Sequence, residues 1–483
     1  MNRDVALYKH LYKSSPWQLR LSERRILLVA GDLLVAYGSL VFALLYWFRS
    51  EPWKFKTFTD FLQARVPVWY FLLPLFWIVL LVELYDIHRA GDWKKTVQNV
   101  ALAASIALGV YLLLYFSYVD STTSGLPRRG VAGFLVSASI LTLAWRRFYI
   151  RLFTAPQFMR RVLIVGGGRT GQILLKIIDD LSPAPFFIAG IIDDDPQKCN
   201  TTIEGHPVVG SSEDLLEIVA KQHISDIIVA ISGELKGGMF QALLDSQELG
   251  VEITRMPVAY EELLGRVPIR LLEADWILRS FVDQARASGF YELGKRLIDV
   301  MGGLVGTLSL LIILPFISIA TLIDSGRPIF YTQIRSGRGG QPYKFLKFRT
   351  MCQDAEADGV PQWASQNDQR ATRVGRFLRR THLDEFPQIL NVLRGDMSLV
   401  GPRPERPELV EMFQRNVPFY RARLLVKPGI TGWAQINYGY ASTVDETIMK
   451  LEYDLYYIKH RSFLTDIVIL LRTPSTMYGF RGR

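Results

Sequence analysis

Four long apolar runs open the chain, at residues 26–48, 68–85, 97–119 and 131–150. Each approaches the roughly 20 residues that a helix needs to cross a bilayer. Within a bilayer every backbone N–H and C=O must find its partner inside the protein, which leaves helices or a closed barrel. Unbroken apolar runs, without alternation, specify helices. They are too long and too poor in charge for the buried helices of a soluble bundle. Asp32 and Glu83 lie near the ends of their runs, where they are expected to reach the interface. The flanking cations set an orientation. Arg20, Arg24 and Arg25 precede the first run, and His88, Arg89, Lys94 and Lys95 lie between the second and third. Arg146, Arg147, Arg151, Arg160 and Arg161 close the fourth. The positive-inside rule assigns these flanks to the cytoplasmic side. Lys54, Lys56, Arg65, Arg128 and Arg129 on the opposite side weaken that bias without reversing it.

A length of 483 residues implies several domains, and a net charge of +10 implies an anionic partner. The cations cluster beside apolar runs, which favours lipid and phosphate over nucleic acid. Cys199 and Cys352 stand far apart, so neither a disulfide framework nor a metal spacing is expected, and a reducing compartment follows. A signal peptide is not expected, because the first apolar run is long and no small-residue cleavage site follows it.

A fifth apolar run, at residues 300–323, has cations on both sides: Arg286, Lys295 and Arg296 before it, Arg327, Arg335, Arg338, Lys344, Lys347 and Arg349 after it. Both flanks read as cytoplasmic. Pro315 removes a helix hydrogen bond past the middle of the run. Gly302, Gly303 and Gly306 are expected to loosen its start. The reading is a re-entrant helix-break-helix over about 293–323 that enters one leaflet and returns; an ordinary kinked span is the alternative.

Between these membrane elements, Val162-Leu163-Ile164-Val165 leads into a glycine turn and a helix start. Gly166, Gly168 and Gly171 fit G-x-G-x-x-G, and Asp193 closes the next strand where an acidic residue meets a ribose in dinucleotide folds. Short apolar strands alternating with helices imply a Rossmann-like, doubly wound parallel sheet. Nucleotide binding and a purely structural or regulatory role both remain open for it. His206 and His223 read as surface or turn residues without ligating partners.

The sharpest chemical signal is Leu383-Asp384-Glu385-Phe386-Pro387-Gln388. Leu383, Phe386, Ile389, Leu390 and Leu393 form a helical stripe, and Asp384 and Glu385 lie off it. Pro387 frees backbone N–H groups close to the carboxylates, and such groups bind phosphate. A carboxylate there can act as a nucleophile and its neighbour can hold a metal. From these residues alone a plain acidic helix start is the commoner arrangement, since acidic pairs are frequent there.

Further motifs surround the pair. Gln333-Ile334-Arg335-Ser336-Gly337-Arg338-Gly339-Gly340 is a basic glycine hairpin, followed by Lys344-Phe345-Leu346-Lys347-Phe348-Arg349-Thr350-Met351. Gly401-Pro402-Arg403-Pro404 and Lys427-Pro428-Gly429-Ile430-Thr431-Gly432-Trp433 come later, and aromatic residues including Trp433, Tyr438, Tyr440, Tyr453, Tyr456 and Tyr457 suggest an interfacial belt in part. In this order the motifs resemble the bacterial sugar transferase family, the monotopic polyprenol-phosphate phosphoglycosyl transferases, over about residues 290–483. The membrane and Rossmann-like segments ahead of them look like the long, exopolysaccharide-type members. The resemblance implies three regions: four transmembrane helices in 1–155, the Rossmann-like domain in 156–275, and a re-entrant catalytic domain in 276–483. It implies transfer of a sugar 1-phosphate from a UDP-sugar to undecaprenyl phosphate, with release of UMP. It makes Asp384 the nucleophile and Glu385 a ligand of magnesium (Mg2+). It makes Arg379, Lys347, Arg349, Arg403 and Arg335 substrate-binding residues. Leu314 stands before Pro315 where relatives often carry serine, and Phe386 replaces a commoner leucine. The implied setting is the bacterial inner membrane, with both soluble domains facing the cytoplasm and the oligomeric state open.

Two other readings are weighed against it. A membrane nucleotide-sugar dehydratase or epimerase needs a second dinucleotide fold and a Tyr-x-x-x-Lys pair; Tyr343 and Lys347 have that spacing, but no glycine fingerprint precedes them. A non-enzymatic nucleotide sensor leaves the acidic pair and basic loops unexplained.

Overall fold

The computed structural model describes residues 20–51, 54–85, 90–117, 127–153, 159–181, 184–235, 237–271, 289–352, 370–439 and 443–477. His88, Arg89, Arg286 and Tyr440 lie outside the described residues. The chain divides into two compact units, Met1–Leu263 and Leu264–Arg483.

In the first unit, three of the four opening runs are long helices: α1 (Leu21–Arg49), α4 (Trp93–Ser117) and α5 (Arg128–Phe153). The second run is not a single helix. After α2 (Phe58–Arg65) the chain bends by 101°. It then passes through a 3₁₀ turn at Val68–Leu72, α3 (Leu73–Leu80) and another 3₁₀ turn at Val82–Tyr85. Pro67 caps the first turn and Pro74 lies in the opening turn of α3, where proline is tolerated but a longer upstream helix is not. Tyr70, Trp77, Leu81 and Leu84 are buried against α1 and α5. Asp32 does not reach an interface. It is fully buried on α1 and paired with the equally buried Arg146 of α5, whose guanidinium also donates to Leu84 O at 2.9 Å. A charged side chain this deep in an apolar bundle faces the bundle interior and pairs with another.

The same unit carries a doubly wound sheet. Its strands are β1 (Arg161–Val165), β2 (Phe187–Ile192), β3 (Thr202–Ile203), β4 (His206–Gly210), β5 (Asp226–Val229) and β6 (Glu252–Arg255). The order is β3-β4-β2-β1-β5-β6, parallel except for β3. Helices α6 (Arg169–Asp180), α7 (Leu215–Gln222), α8 (Gly237–Glu248) and α9 (Met256–Leu264) complete it. The central strands β1 and β5 and the end of β2 are buried and rich in Val, Ile and Leu, as a parallel sheet covered on both faces requires, while β3, β4 and β6 toward the edges are more exposed.

The second unit begins with α10 (Gly289–Ser325), 37 residues long. The expected break at Pro315 is absent: the helix continues through it. Leu310 and Ile317, on either side of the proline, pack with Phe348, Leu378 and Ile389, which holds the helix together where one hydrogen bond is lost. The glycines are not loose either. A Cβ on Gly302, Gly303 or Gly306 would lie 2.5–2.6 Å from Leu399, Leu393 or Ile389. They are small so that the soluble elements can approach the helix. The opposite face, including Leu297, Met301, Leu304, Leu308, Leu311, Phe316 and Ile319, is exposed.

Around that helix lie the hairpin β7 (Phe330–Ser336)/β8 (Pro342–Phe348), α11 (Arg373–Thr381), a 3₁₀ turn at Leu383–Gln388 and α12 (Ile389–Arg394). Then come β9 (Ser398–Val400), α13 (Pro407–Asn416), β10 (Gly429–Thr431), α14 (Trp433–Asn437), α15 (Val444–Lys459) and α16 (Phe463–Met477). Strands β9 and β10 pair in parallel, and β7 and β8 are antiparallel. Trp433, Tyr456 and Tyr457 belong to the packed interior rather than to an interfacial belt.

Candidate active site

The acidic pair sits where two helices meet end to end. Helix α11 starts on Thr372, whose hydroxyl accepts from Gly375 N at 2.9 Å, and ends at His382 in a left-handed conformation. That reversal throws the chain into the 3₁₀ turn that carries Asp384 and Glu385. The apolar stripe anchors the turn: Leu383, Phe386, Ile389 and Leu390 pack with Leu310, Phe348 and Leu378. Pro387 stays inside the 3₁₀ turn, as the sequence allows.

Asp384 is 6% exposed and accepts no hydrogen bond from any described residue. Burial, and then the neighbouring Glu385, push its carboxyl up from 3.8 to about 6; Lys347, Arg403 and Arg379 only partly offset this. Glu385 goes the other way. Burial would raise it, but the Arg403 guanidinium holds both its oxygens and brings it down to about 2. Lys347 is shifted down by burial, against the pull of Asp384 and Glu385, and lies 5.3 Å from the Tyr331 ring. Arg379 Nε donates to Thr350 Oγ1 at 2.9 Å. Two adjacent carboxylates with opposite shifts, ringed by three cations, form a pocket suited to phosphate chemistry.

Two expected phosphate ligands are employed elsewhere. Arg349 does not face the acidic pair. Its guanidinium donates to Arg327 O at 2.7 Å, Gly326 O at 2.8 Å and the Ser325 carbonyl, satisfying the carbonyls at the end of α10. Arg335 donates to Pro404 O at 3.1 Å, lies 3.7 Å from Glu405 and covers the Phe345 ring at 5.4 Å. It therefore supports the Pro402-Arg403-Pro404 loop. Arg423, which the sequence did not single out, does the same from below: its Nη2 donates to Arg403 O at 2.9 Å and to Asp454 at 2.8 Å. Gln388 is also new. Its Nε2 is buried with no partner, one turn after the acidic pair.

The donor set accommodates magnesium in kind. That ion takes one or two carboxylates and completes its shell with phosphate oxygens and water. Asp384 has no hydrogen-bond partner and Glu385 is ionised, although a metal on Glu385 must displace the Arg403 guanidinium.

In the first unit, Gly166 takes φ +104°, which a side chain rarely adopts, and a Cβ at Gly171 would lie 2.1 Å from Gly166 O. These two glycines are required by the turn itself. Gly168 opens α6. Asp193 is already engaged: it accepts from Gly167 N at 2.8 Å and Asp195 N at 2.9 Å and pairs with Lys198 at 3.0 Å. Its carboxylate ties the glycine turn to the end of β2. His206 is not partnerless, since its Nε2 lies 3.1 Å from Asp179.

Comparison with known proteins adds to this geometry. The bacterial sugar transferase family matches residues 290–479, and a CoA-binding domain family matches residues 81–257. The UDP-N-acetylgalactosamine-undecaprenyl-phosphate N-acetylgalactosaminephosphotransferase of Aeromonas hydrophila is 39% identical over 224 residues, 46% of this chain and 52% of that protein. The match thus takes in about half the length of that relative. The UDP-glucose:undecaprenyl-phosphate glucose-1-phosphate transferase of Xanthomonas campestris pv. campestris is 25% identical over 92% of each chain. The protein of the same description from Klebsiella pneumoniae is 31% identical over 71% of this chain and 72% of its own length.

Proposed function

The chain belongs to the bacterial sugar transferase family, in its long form, and we propose that it moves a sugar 1-phosphate from a UDP-sugar to undecaprenyl phosphate at the cytoplasmic face of the inner membrane. The observation that carries the chemistry is the Asp384 carboxylate: buried, unengaged, and set among Glu385, Lys347, Arg379 and Arg403. Attack at phosphorus needs alignment and charge neutralisation more than an activating base. An Asp384 oxygen attacks the sugar-bearing phosphorus. The bond from that phosphorus to the bridging oxygen breaks, and UMP leaves with that oxygen. A phosphate oxygen of the lipid then attacks the aspartyl phosphosugar, the Asp384 O–P bond breaks, and the carboxylate is regenerated. Two displacements at one carboxylate give ping-pong kinetics.

Lys347 and Arg379 face the charge that develops on the transferred phosphoryl group. Arg403, whose guanidinium donates to both oxygens of Glu385, would exchange that carboxylate for the nucleotide phosphate. Glu385 would hold a magnesium ion, which would neutralise charge on the diphosphate.

The membrane placement we propose is monotopic for α10, with both ends on one side. Near its start, Lys295 pairs with Asp466 at 2.9 Å and Arg296 donates to Val392 O and Leu393 O. Near its end, Asp324 accepts from Val374 N at 2.8 Å, and Arg349 holds the last carbonyls. Those anchors lie about 43 Å apart along the helix at 1.5 Å per residue. A polar domain attached over that length does not fit beside a helix crossing a hydrocarbon core of about 30 Å.

The dehydratase or epimerase reading requires a second dinucleotide fold. Among the described residues of Leu264–Arg483 the sheets are only two-stranded. The deciding experiment is release of UMP from a panel of UDP-sugars by the purified full-length protein with undecaprenyl phosphate. The proposal expects release that stops in Asp384→Asn and in chelator; an Asp384→Asn protein with near-normal turnover rejects the covalent route.

A further inference from the structure

A second basic pocket lies apart from the acidic pair. It is lined by Lys295 and Arg296 of α10, Arg338 of the hairpin turn, Lys427 before β10, and Arg461 after α15, with Glu292, Asp299 and Tyr457. None of these lines the Asp384 site described above. Five cations face two carboxylates. Most are held: Lys295 by Asp466 and Tyr457, Arg296 by the Val392 and Leu393 carbonyls, Arg461 by Glu292 at 3.5 Å. The side chains of Lys427 and Arg338 make no hydrogen bond or ion pair with any described residue. Lys427 Nζ and Arg296 Nη2 nevertheless converge, lying 3.5 and 3.7 Å from the point that a Cβ on Gly395 would occupy. Like charges brought together around an open space stabilise an anion, and a phosphate is the one whose oxygens several such donors share.

The surroundings identify which phosphate. Leu293, Leu297 and Met301 project from the same turns of α10 onto the exposed apolar face. Phe463, which packs on Tyr291, leads into Leu464 and Ile467 on α16, also exposed. The pocket therefore sits at the polar edge of an apolar surface, at headgroup level if that surface enters the bilayer. We propose that it holds the phosphodiester of an anionic phospholipid, at a site separate from Asp384. Basic pockets at the cytoplasmic edge of membrane helices suit such headgroups. The inference rests on the membrane placement of α10, not on the transfer chemistry.

The test uses the full chain in neutral detergent. Binding of dihexanoyl phosphatidylglycerol, dihexanoyl phosphatidylcholine, inorganic phosphate and UMP is measured by calorimetry, with UMP release assayed on the same samples. The expected result is saturable binding of phosphatidylglycerol, with inorganic phosphate and phosphatidylcholine at least about tenfold weaker. The double change Lys427→Gln with Arg338→Gln should weaken it about thirtyfold. Lys427→Arg should retain it, and an unchanged melting temperature shows that the double variant is folded. Undiminished binding in the folded double variant overturns the proposal. So does inorganic phosphate binding as tightly as the lipid, which marks a free-phosphate site, or displacement of the lipid by UMP, which makes the pocket part of the nucleotide site. Lack of UMP release alongside intact lipid binding counts against the transferase reading alone.

Discussion

Asp384→Asn should stabilise the protein while abolishing its activity. The folded carboxyl sits at about 6 against an ordinary 3.8, because burial and Glu385 disfavour its charge more than the three cations favour it. Between those values the folded state binds more protons than the unfolded chain, so this group lowers stability as pH rises. The penalty is complete above about pH 6 and vanishes below the unfolded value. At pH 7 it amounts to about 3 kcal/mol, from about 1.36 kcal/mol per pKa unit, and at pH 4 to about 0.5 kcal/mol. Asparagine has nearly the shape of the protonated acid and carries no charge, so it removes the penalty. For a folding unit of this size, the gain at pH 7 corresponds to a melting temperature higher by about 6–12 °C. The assay is a pair of thermal melts, wild type and Asp384→Asn, in the same detergent from pH 4 to pH 8. The difference should be largest at pH 7–8 and shrink to about 1–2 °C at pH 4. A variant no more stable than wild type at pH 7, or a difference that ignores pH, would refute the claim that the carboxylate is held ionised at a cost.

The same shift should appear in rate: UMP release should fall to half its plateau near pH 6 and drop about tenfold per pH unit below, and an acid limb near pH 4 would mean that another group limits nucleophilicity. Arg349→Ala should destabilise the folded unit by about 2–4 kcal/mol, because the carbonyls closing α10 lose charged donors; a denaturant series measures it, and a purely kinetic defect would instead mean that Arg349 touches substrate. Arg423→Met should cost about 3–5 kcal/mol by leaving Asp454 buried without its partner; substituting Asp454→Leu in the same chain should recover part of that loss, and no recovery would break the pairing argument.

The apolar runs announced three long helices correctly because length and continuity suffice for that inference. The run at residues 68–85 is as apolar, but Pro67 precedes it and Pro74 interrupts it, and Tyr70 and Trp77 are spent on packing against α1 and α5. Glycines 302, 303 and 306 carried the same message for looseness as for close approach; only the positions of Leu399, Leu393 and Ile389 decide between them. The acidic pair was legible as a motif, and its opposite protonation tendencies were not, since they depend on Arg403 reaching back 18 residues. Arg335 and Arg349 were visible as cations in a basic segment. Sequence shows that a guanidinium exists, not which carbonyls it turns to. The second basic pocket was the least legible feature, because its cations come from separate segments that fold together late in the chain.

The union of Asp32 with Arg146 has a consequence for how the protein is made. The two residues are 114 positions apart, so the first helix is synthesised and delivered to the bilayer long before its counter-charge emerges from the ribosome. An aspartate without a partner costs up to about 2.5–3.5 kcal/mol at the centre of an inserting helix, and less toward its ends, where Asp32 lies. Until the last of the opening helices arrives, Asp32 lacks the guanidinium that neutralises it in the folded bundle, and the pair closes only when that helix docks.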